Sequence, residues 1–182
     1  VLFDTDPKEF QKSLTKSSEK ELIKLPQAGS DHLRLLSRIG IVDPNSLEEY
    51  RSLGGYEALV KALEIGDEQI IEEVTKSGLR GRGGAAFPTG IKWKAVAEEK
   101  RRVHHLVCNA DESEPGTFKD RILMENDPFA LIESMTIAAL AVGAEKGWFY
   151  IRGEYPLAKQ RLIQAIEKAE KSGLLGEDIL GS

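Results

Sequence analysis

The sequence predicts an α/β protein, with a helical N-terminal segment followed by a parallel-sheet βαβα domain that is incomplete at its C-terminus. Two observations carry this expectation. Short apolar runs at residues 103–108 and 148–151 have the length and composition of strands, and each is followed by helical periodicity, at 127–144 and 156–171. Strands that alternate with helices in this way run parallel and are joined by right-handed crossovers, which sets the start of the layered domain near Asp67. A further strand is expected where the chain stops at Gly181 and Ser182, so the sheet reads as unfinished. The chain thus divides into an arm with helices at 1–66 and an α/β domain at 67–182.

Taken in order, the first thirty residues are rich in Lys, Glu, Ser and Gln and end at Pro26, Gln27, Ala28, Gly29 and Ser30, the composition of an arm or short helix with a linker. Leu33, Leu36 and Ile39 then recur at helical spacing, and Gly40 is placed to end a packing helix at 30–39. Ser46 and Glu49 have the spacing of a capping box, so a helix is expected to start there. Gly54 and Gly55 interrupt it. A helix resumes over 56–65, and Gly66 with Asp67 closes it and caps the next, at 68–76. A glycine-rich loop follows, entered from a helix. Thr89 is placed to cap a helix at 91–100, and Asp127 with Pro128 to start the apolar helix that runs to residue 144.

Bulk properties exclude several functions. Of the 182 residues, 41% are hydrophobic and 30% charged, and the net charge is −5, which leaves no surplus of cations to track a nucleic-acid backbone. Cys108 is the single cysteine, too few for a disulfide or for a thiolate-bound zinc or iron–sulfur site within the chain, in keeping with a reducing, cytoplasmic setting. The most apolar run, at 129–144, contains Glu133 and is shorter than the ~20 residues of a membrane-spanning helix, so direct membrane insertion is not expected. The sequence begins with Val1, without a signal-peptide pattern.

The segment 77–90 holds five glycines, Ala85, Ala86, Arg80 and Arg82, with Lys92 in the first turn of the helix beyond. Glycine has no Cβ and tolerates positive φ, which lets successive N–H groups turn toward an anion, and a helix N-terminus beside an ammonium group suits a phosphate. The loop fits neither standard nucleotide motif. It lacks the preceding strand of the dinucleotide fingerprint and the Gly-Lys-Ser/Thr ending of a P-loop. Phe87, beside Pro88, offers a surface on which a flat ring could stack.

The second candidate feature follows the first strand. Asn109, Ala110, Asp111, Glu112, Ser113, Glu114, Pro115 and Gly116 form an acidic loop at the strand's carboxyl end, where open α/β sheets bind ligands, and Arg152, Gly153 and Glu154 end the second strand likewise. The carboxylates lack the spacing and glycine of a calcium loop, so no metal site is expected, and their adjacency does not define the separation that glycoside hydrolysis needs. His104 and His105 fall on opposite faces of a strand and have no nucleophile motif beside them, which makes them structural or surface residues. Cys108 reads as a small buried hydrophobe.

Together, the run from Gly78 to Trp93 and the run from Cys108 to Arg121 resemble the NADH-binding flavoprotein subunit of respiratory complex I. They also resemble its relatives, the diaphorase subunit of NAD-linked hydrogenases and the matching subunit of NAD-dependent formate dehydrogenases. With Tyr150, Ile151, Arg152, Gly153, Glu154 and Tyr155 the likeness extends from about residue 54 to the end, and the segment 38–44 looks more like the hydrogenase and formate dehydrogenase branch. The resemblance implies FMN contacts at Gly81, Arg82, Gly83, Gly84, Lys92, Asn109, Asp111 and Glu112. It further implies a dinucleotide stacked on Phe87, with Glu112 and Glu114 near its nicotinamide end. It implies hydride transfer from NADH to FMN with no residue of this chain as general base, then electron transfer to iron–sulfur subunits of a complex peripheral to a membrane. Ala86 stands where the family often has Gly. The family's later Gly-Glu-Glu segment, its Asn-Asn flavin contacts and its cysteines for a 4Fe–4S centre do not occur here, as in the first part of a longer subunit. Two other readings remain open: a non-catalytic scaffold that keeps the α/β half, and a phosphoryl-transfer protein that uses the glycine loop for ATP.

Overall fold

The computed structural model describes residues 32–181, so the arm expected at 1–30 lies outside the described residues. The α/β expectation holds. The elements are α1 (Leu47–Ser52), α2 (Glu57–Ile65), α3 (Asp67–Lys76), α4 (Thr89–Ala97), β1 (His104–Ala110), α5 (Lys119–Asn126), α6 (Pro128–Val142), β2 (Ala144–Ile151), α7 (Pro156–Lys171) and a short 3-10 turn at Ile179–Gly181. β1 and β2 pair in parallel, with Val107 opposite Trp148 and Asn109 opposite Tyr150, after an irregularity between His104 and His105.

One face of this two-stranded sheet is covered. Cys108 and Ala110 of β1 and Phe149 and Ile151 of β2 pack on Met124, Ala158 and Leu162 from α5 and α7. The alternation of strand side chains then turns Val107, Trp148 and Tyr150 to the other face, where they are 58%, 54% and 60% exposed. α6 packs on both strands and on α2, α3, α4 and α7, so it is the central element. Its Phe129 and Ile132 share a core with Tyr50, Tyr56, Leu59, Ala165, Ala169 and Leu174. No helix of the described residues is long and apolar enough to cross a membrane.

Several boundaries differ from expectation for local reasons. The helix expected at 30–39 is replaced, over its described part, by turns in which Ile39 N–H donates to the Leu36 carbonyl and Ile41 N–H to the Arg38 carbonyl. Three apolar positions cannot offset the entropy of nucleating a helix, and here Ile39 is buried while the Arg38 guanidinium is held by Asp127 at 2.8 and 3.0 Å. Ser46 caps α1 by accepting the Glu49 N–H at 3.1 Å. The reciprocal arm of the box is displaced, because the Glu49 carboxylate takes the Asp43 N–H at 2.8 Å. α6 stops two residues early at Gly143, whose φ of 63° ends the helix and releases the chain directly into β2.

A buried carboxylate joins the N-terminal helices to α6. Glu133, 6% exposed, accepts from the Tyr50 hydroxyl at 2.6 Å, the Tyr56 N–H at 2.9 Å and the Leu59 N–H at 3.1 Å. Tyr56 has no side chain that can cap α2, so the cap comes from another helix and places a negative charge at the positive end of the α2 dipole. Burial and the Glu133 carboxylate push the Tyr50 phenol well above the ordinary tyrosine range, which keeps it a donor.

Candidate functional site

The glycine loop is closed at its base and open at its tip. Gly81 N–H donates to the Phe87 carbonyl and Thr89 N–H to the Leu79 carbonyl, each at 2.9 Å, so the chain leaves and returns as a short antiparallel pair. Between these bonds the N–H groups of Arg82, Gly83, Gly84, Ala85, Ala86 and Phe87 donate to no group among the described residues. Gly81, Arg82, Gly83 and Gly84 are exposed, as are Phe87 at 50% and Lys92 in the first turn of α4. Neither Arg82 nor Lys92 forms an ion pair among the described residues. The tip is therefore a surface of unused donors beside two unused cations, the arrangement that holds a phosphate.

Gly90 anchors this loop. A Cβ there would lie 2.0 Å from Thr75 Oγ1 and 2.8 Å from the Thr75 Cα, so the α4 N-terminus packs on the end of α3 only because residue 90 is glycine. Thr89 does not cap α4 as expected. It is the first helical residue, Pro88 is the N-cap, and no side chain satisfies the first N–H groups.

Ala86 has φ 50° and so occupies the left-handed backbone region that disfavours a Cβ. Ala86→Gly is expected to relieve about 1 kcal/mol of strain, partly offset by the extra freedom of glycine in the unfolded chain. Urea unfolding should show a net gain near ~0.5 kcal/mol, whereas a loss would mean that the alanine sits there unstrained.

At the carboxyl end of β1 the acidic loop has two sides. Asn109 and Glu114 are exposed and Asp111 is half-buried, but Glu112 is only 7% exposed and turns inward with φ 49°. Its carboxylate accepts the Asp120 N–H at 2.7 Å and the Arg121 N–H at 3.0 Å, capping α5, and it also receives the Tyr155 hydroxyl at 3.4 Å. Arg152, at the end of β2, donates to the Glu112 carbonyl at 3.3 Å and pairs with Glu154 at 2.9 Å. The ends of the two strands are thus brought together at Glu112, as the parallel order predicts for a crevice. No hydrogen bond or ion pair among the described residues joins this acidic loop to the glycine loop.

Sequence reasoning missed two parts of this arrangement. Helix α5 was not expected, because its weakly periodic sequence carries no local cap; its cap, Glu112, lies eight and nine residues from its partners. The roles of Tyr155 and Arg152 in holding Glu112 have no motif either, and only their position after β2 signals them. His104 has each ring nitrogen against a backbone carbonyl, Val142 at 2.6 Å and Glu99 at 2.7 Å, and His105 stacks on Trp148, in accord with structural and surface roles. Cys108 is half-buried rather than buried. Desolvation, with Asp120 nearby, pushes its thiol up and away from the reactive thiolate.

Comparison with known proteins adds a second line. The model of the Nuo51 FMN-binding domain matches residues 74–179, more than half of the chain. An NADH-quinone oxidoreductase subunit of Aquifex aeolicus is 54% identical over 81% of this chain, which spans 34% of that protein. The NADP-reducing hydrogenase subunit HndC of Solidesulfovibrio fructosivorans is 49% identical over 82% of this chain and 31% of its own length. Among solved structures, an NAD+-reducing NiFe-hydrogenase in the H2-reduced state superposes with a TM-score of 0.61 at 37% identity, over 78% of this chain and 23% of that one. The chain therefore spans about a third of the length of the curated relatives it matches.

Proposed function

Because the chain belongs to the Nuo51 FMN-binding domain family, we propose that it carries the first part of an FMN and NADH site in an NADH-oxidising flavoprotein subunit. The observation that carries this reading is the tip of the glycine loop, where the N–H groups of residues 82–87 have no partner among the described residues and lie beside Arg82 and Lys92. Residues from Asp67 onward form the flavin domain in this reading. Arg82, Gly83, Gly84 and Lys92 hold the phosphate of FMN, with Gly81 fixing the base of the loop. Asn109 and Asp111 present an acceptor-rich edge to the flavin ring, Glu112 sets the course of that loop from below, and exposed Phe87 stacks on the dinucleotide while Glu114 faces its nicotinamide end. When bound, FMN accepts a hydride and releases electrons singly; the polypeptide supplies position and charge. In this reading the chain would serve a complex on the cytoplasmic side whose iron–sulfur centres, a 4Fe–4S centre in the part of the family's chain not found here and others in partner subunits, would take up the electrons singly.

A fluorescence titration of the whole flavoprotein with FMN tests this. Arg82→Ala is expected to weaken FMN at least tenfold, about the value of one charge-assisted phosphate contact. Unchanged affinity would reassign the loop, and a wild-type protein that binds no flavin would favour a non-catalytic scaffold.

A further inference from the structure

A second polar site lies away from both loops, between the turn at Asp43 to Ser46 and one face of α7. It is a cleft of about 370 Å³ lined by Asn45, Arg161, Gln164, Glu167, Lys168 and Lys171, with Gln160 beside them. Arg161, Gln164, Lys168 and Lys171 recur at three- and four-residue steps and so share a stripe of the helix, next to the buried stripe of Ala158, Leu162, Ala165 and Ala169. Lys168 Nζ donates to the Asn45 carbonyl, which clamps the turn onto the helix.

The polar bonding inside this cleft is incomplete. Three buried side-chain polar atoms lack a partner among the described residues, and two of them, Arg161 Nε and Asn45 Oδ1, belong to residues that line it. Arg161 makes no hydrogen bond or ion pair among the described residues. Asp43 and Glu125 act on it only at a distance, and burial outweighs them, drawing the guanidinium below an ordinary arginine. A half-buried cation without an acceptor is costly unless an anion completes it. The orphan oxygen of Asn45 asks for the opposite, a donor.

We propose that this cleft binds inorganic phosphate, whose oxyanion meets Arg161 and Lys171 and whose P–OH donates to Asn45. Inorganic phosphate matches both orphans, since near neutral pH it offers several acceptor oxygens and one donor, whereas a phosphomonoester has lost its P–OH proton. Sulfate offers acceptors only. The exposed Lys171, free of ion pairs among the described residues, supplies a second positive charge at the mouth.

Isothermal titration of the whole flavoprotein tests the site, run in the Arg82→Ala background so that the glycine loop does not contribute. Inorganic phosphate should bind saturably with a dissociation constant below about 10 mM. Arg161→Gln should weaken it tenfold or more, Lys171→Gln about threefold, and sulfate should bind several-fold less tightly than phosphate. Glycerol phosphate, which lacks a P–OH at neutral pH, should bind several-fold less tightly than inorganic phosphate, and tighter binding of the ester would overturn the proposal. The proposal is overturned by the absence of saturable binding, by binding that survives both substitutions, or by sulfate binding as well as phosphate. It is also overturned if Arg161→Gln abolishes assembly with a partner protein while phosphate binds neither variant nor wild type, which would make the cleft a protein contact.

Discussion

Replacing Glu133 by Ala is expected to lower the unfolding free energy of the chain by about 3–5 kcal/mol, the cost of breaking a buried, charge-assisted network. The substitution removes the acceptor of three buried donors at once, the Tyr50 hydroxyl and the N–H groups of Tyr56 and Leu59. It also leaves α2 without a cap and opens a cavity against Tyr50 and Phe129, whose rings lie 5.7 Å apart. Glu133→Gln keeps one carbonyl oxygen but turns an amide donor toward donors, so it should lose roughly half as much. Urea unfolding followed by far-UV circular dichroism measures both. A loss below about 1 kcal/mol for the alanine variant would show that water or relaxation replaces the carboxylate.

The second large effect is expected at Glu112, where stability and flavin affinity should fall together. Glu112→Ala removes the cap of α5 and the acceptor of Tyr155 Oη, and the backbone at φ 49° loses the side-chain anchor that holds it there. Loss of two charge-assisted bonds corresponds to about 2–4 kcal/mol, and the freed loop should bind FMN at least tenfold more weakly, if Asn109 and Asp111 contact the flavin as proposed. Glu114 is the control. Its exposed side chain makes no bond among the described residues, so Glu114→Gln should leave stability within ~0.5 kcal/mol and act on NADH alone. A Glu112 variant that keeps both stability and flavin affinity would remove the loop from the site.

These two carboxylates also mark the limit of what the sequence made legible. The βαβα order, the central apolar helix and the entry to the glycine loop from a helix were readable because each is written locally: Gly66 between two helices, Asp127 and Pro128 before α6, apolar runs of strand length. The cap at Ser46 was readable for the same reason. Glu133 caps a helix 74 to 77 residues earlier in the chain, and no spacing rule connects them. Among the apolar residues, Leu33, Leu36 and Ile39 matched a helix by spacing alone, yet tertiary contacts of Arg38 and Ile39 chose turns instead. At the candidate site the residue types of both loops were visible in the sequence. What was not visible is that Glu112 points inward while its neighbours Asn109 and Glu114 do not, because the direction of a loop side chain depends on the partner that captures it.

The sheet face that the described residues leave bare has a consequence of its own. Val107, Trp148 and Tyr150 present a contiguous apolar strip, with charged residues of β2 only near its beginning, at Glu145 and Lys146. Attraction between such strips is driven by the release of ordered water, so it strengthens on warming and in salts excluded from protein surfaces, and weakens in the cold. Any apolar surface that meets this strip is therefore held more firmly on warming and in such salts than in the cold.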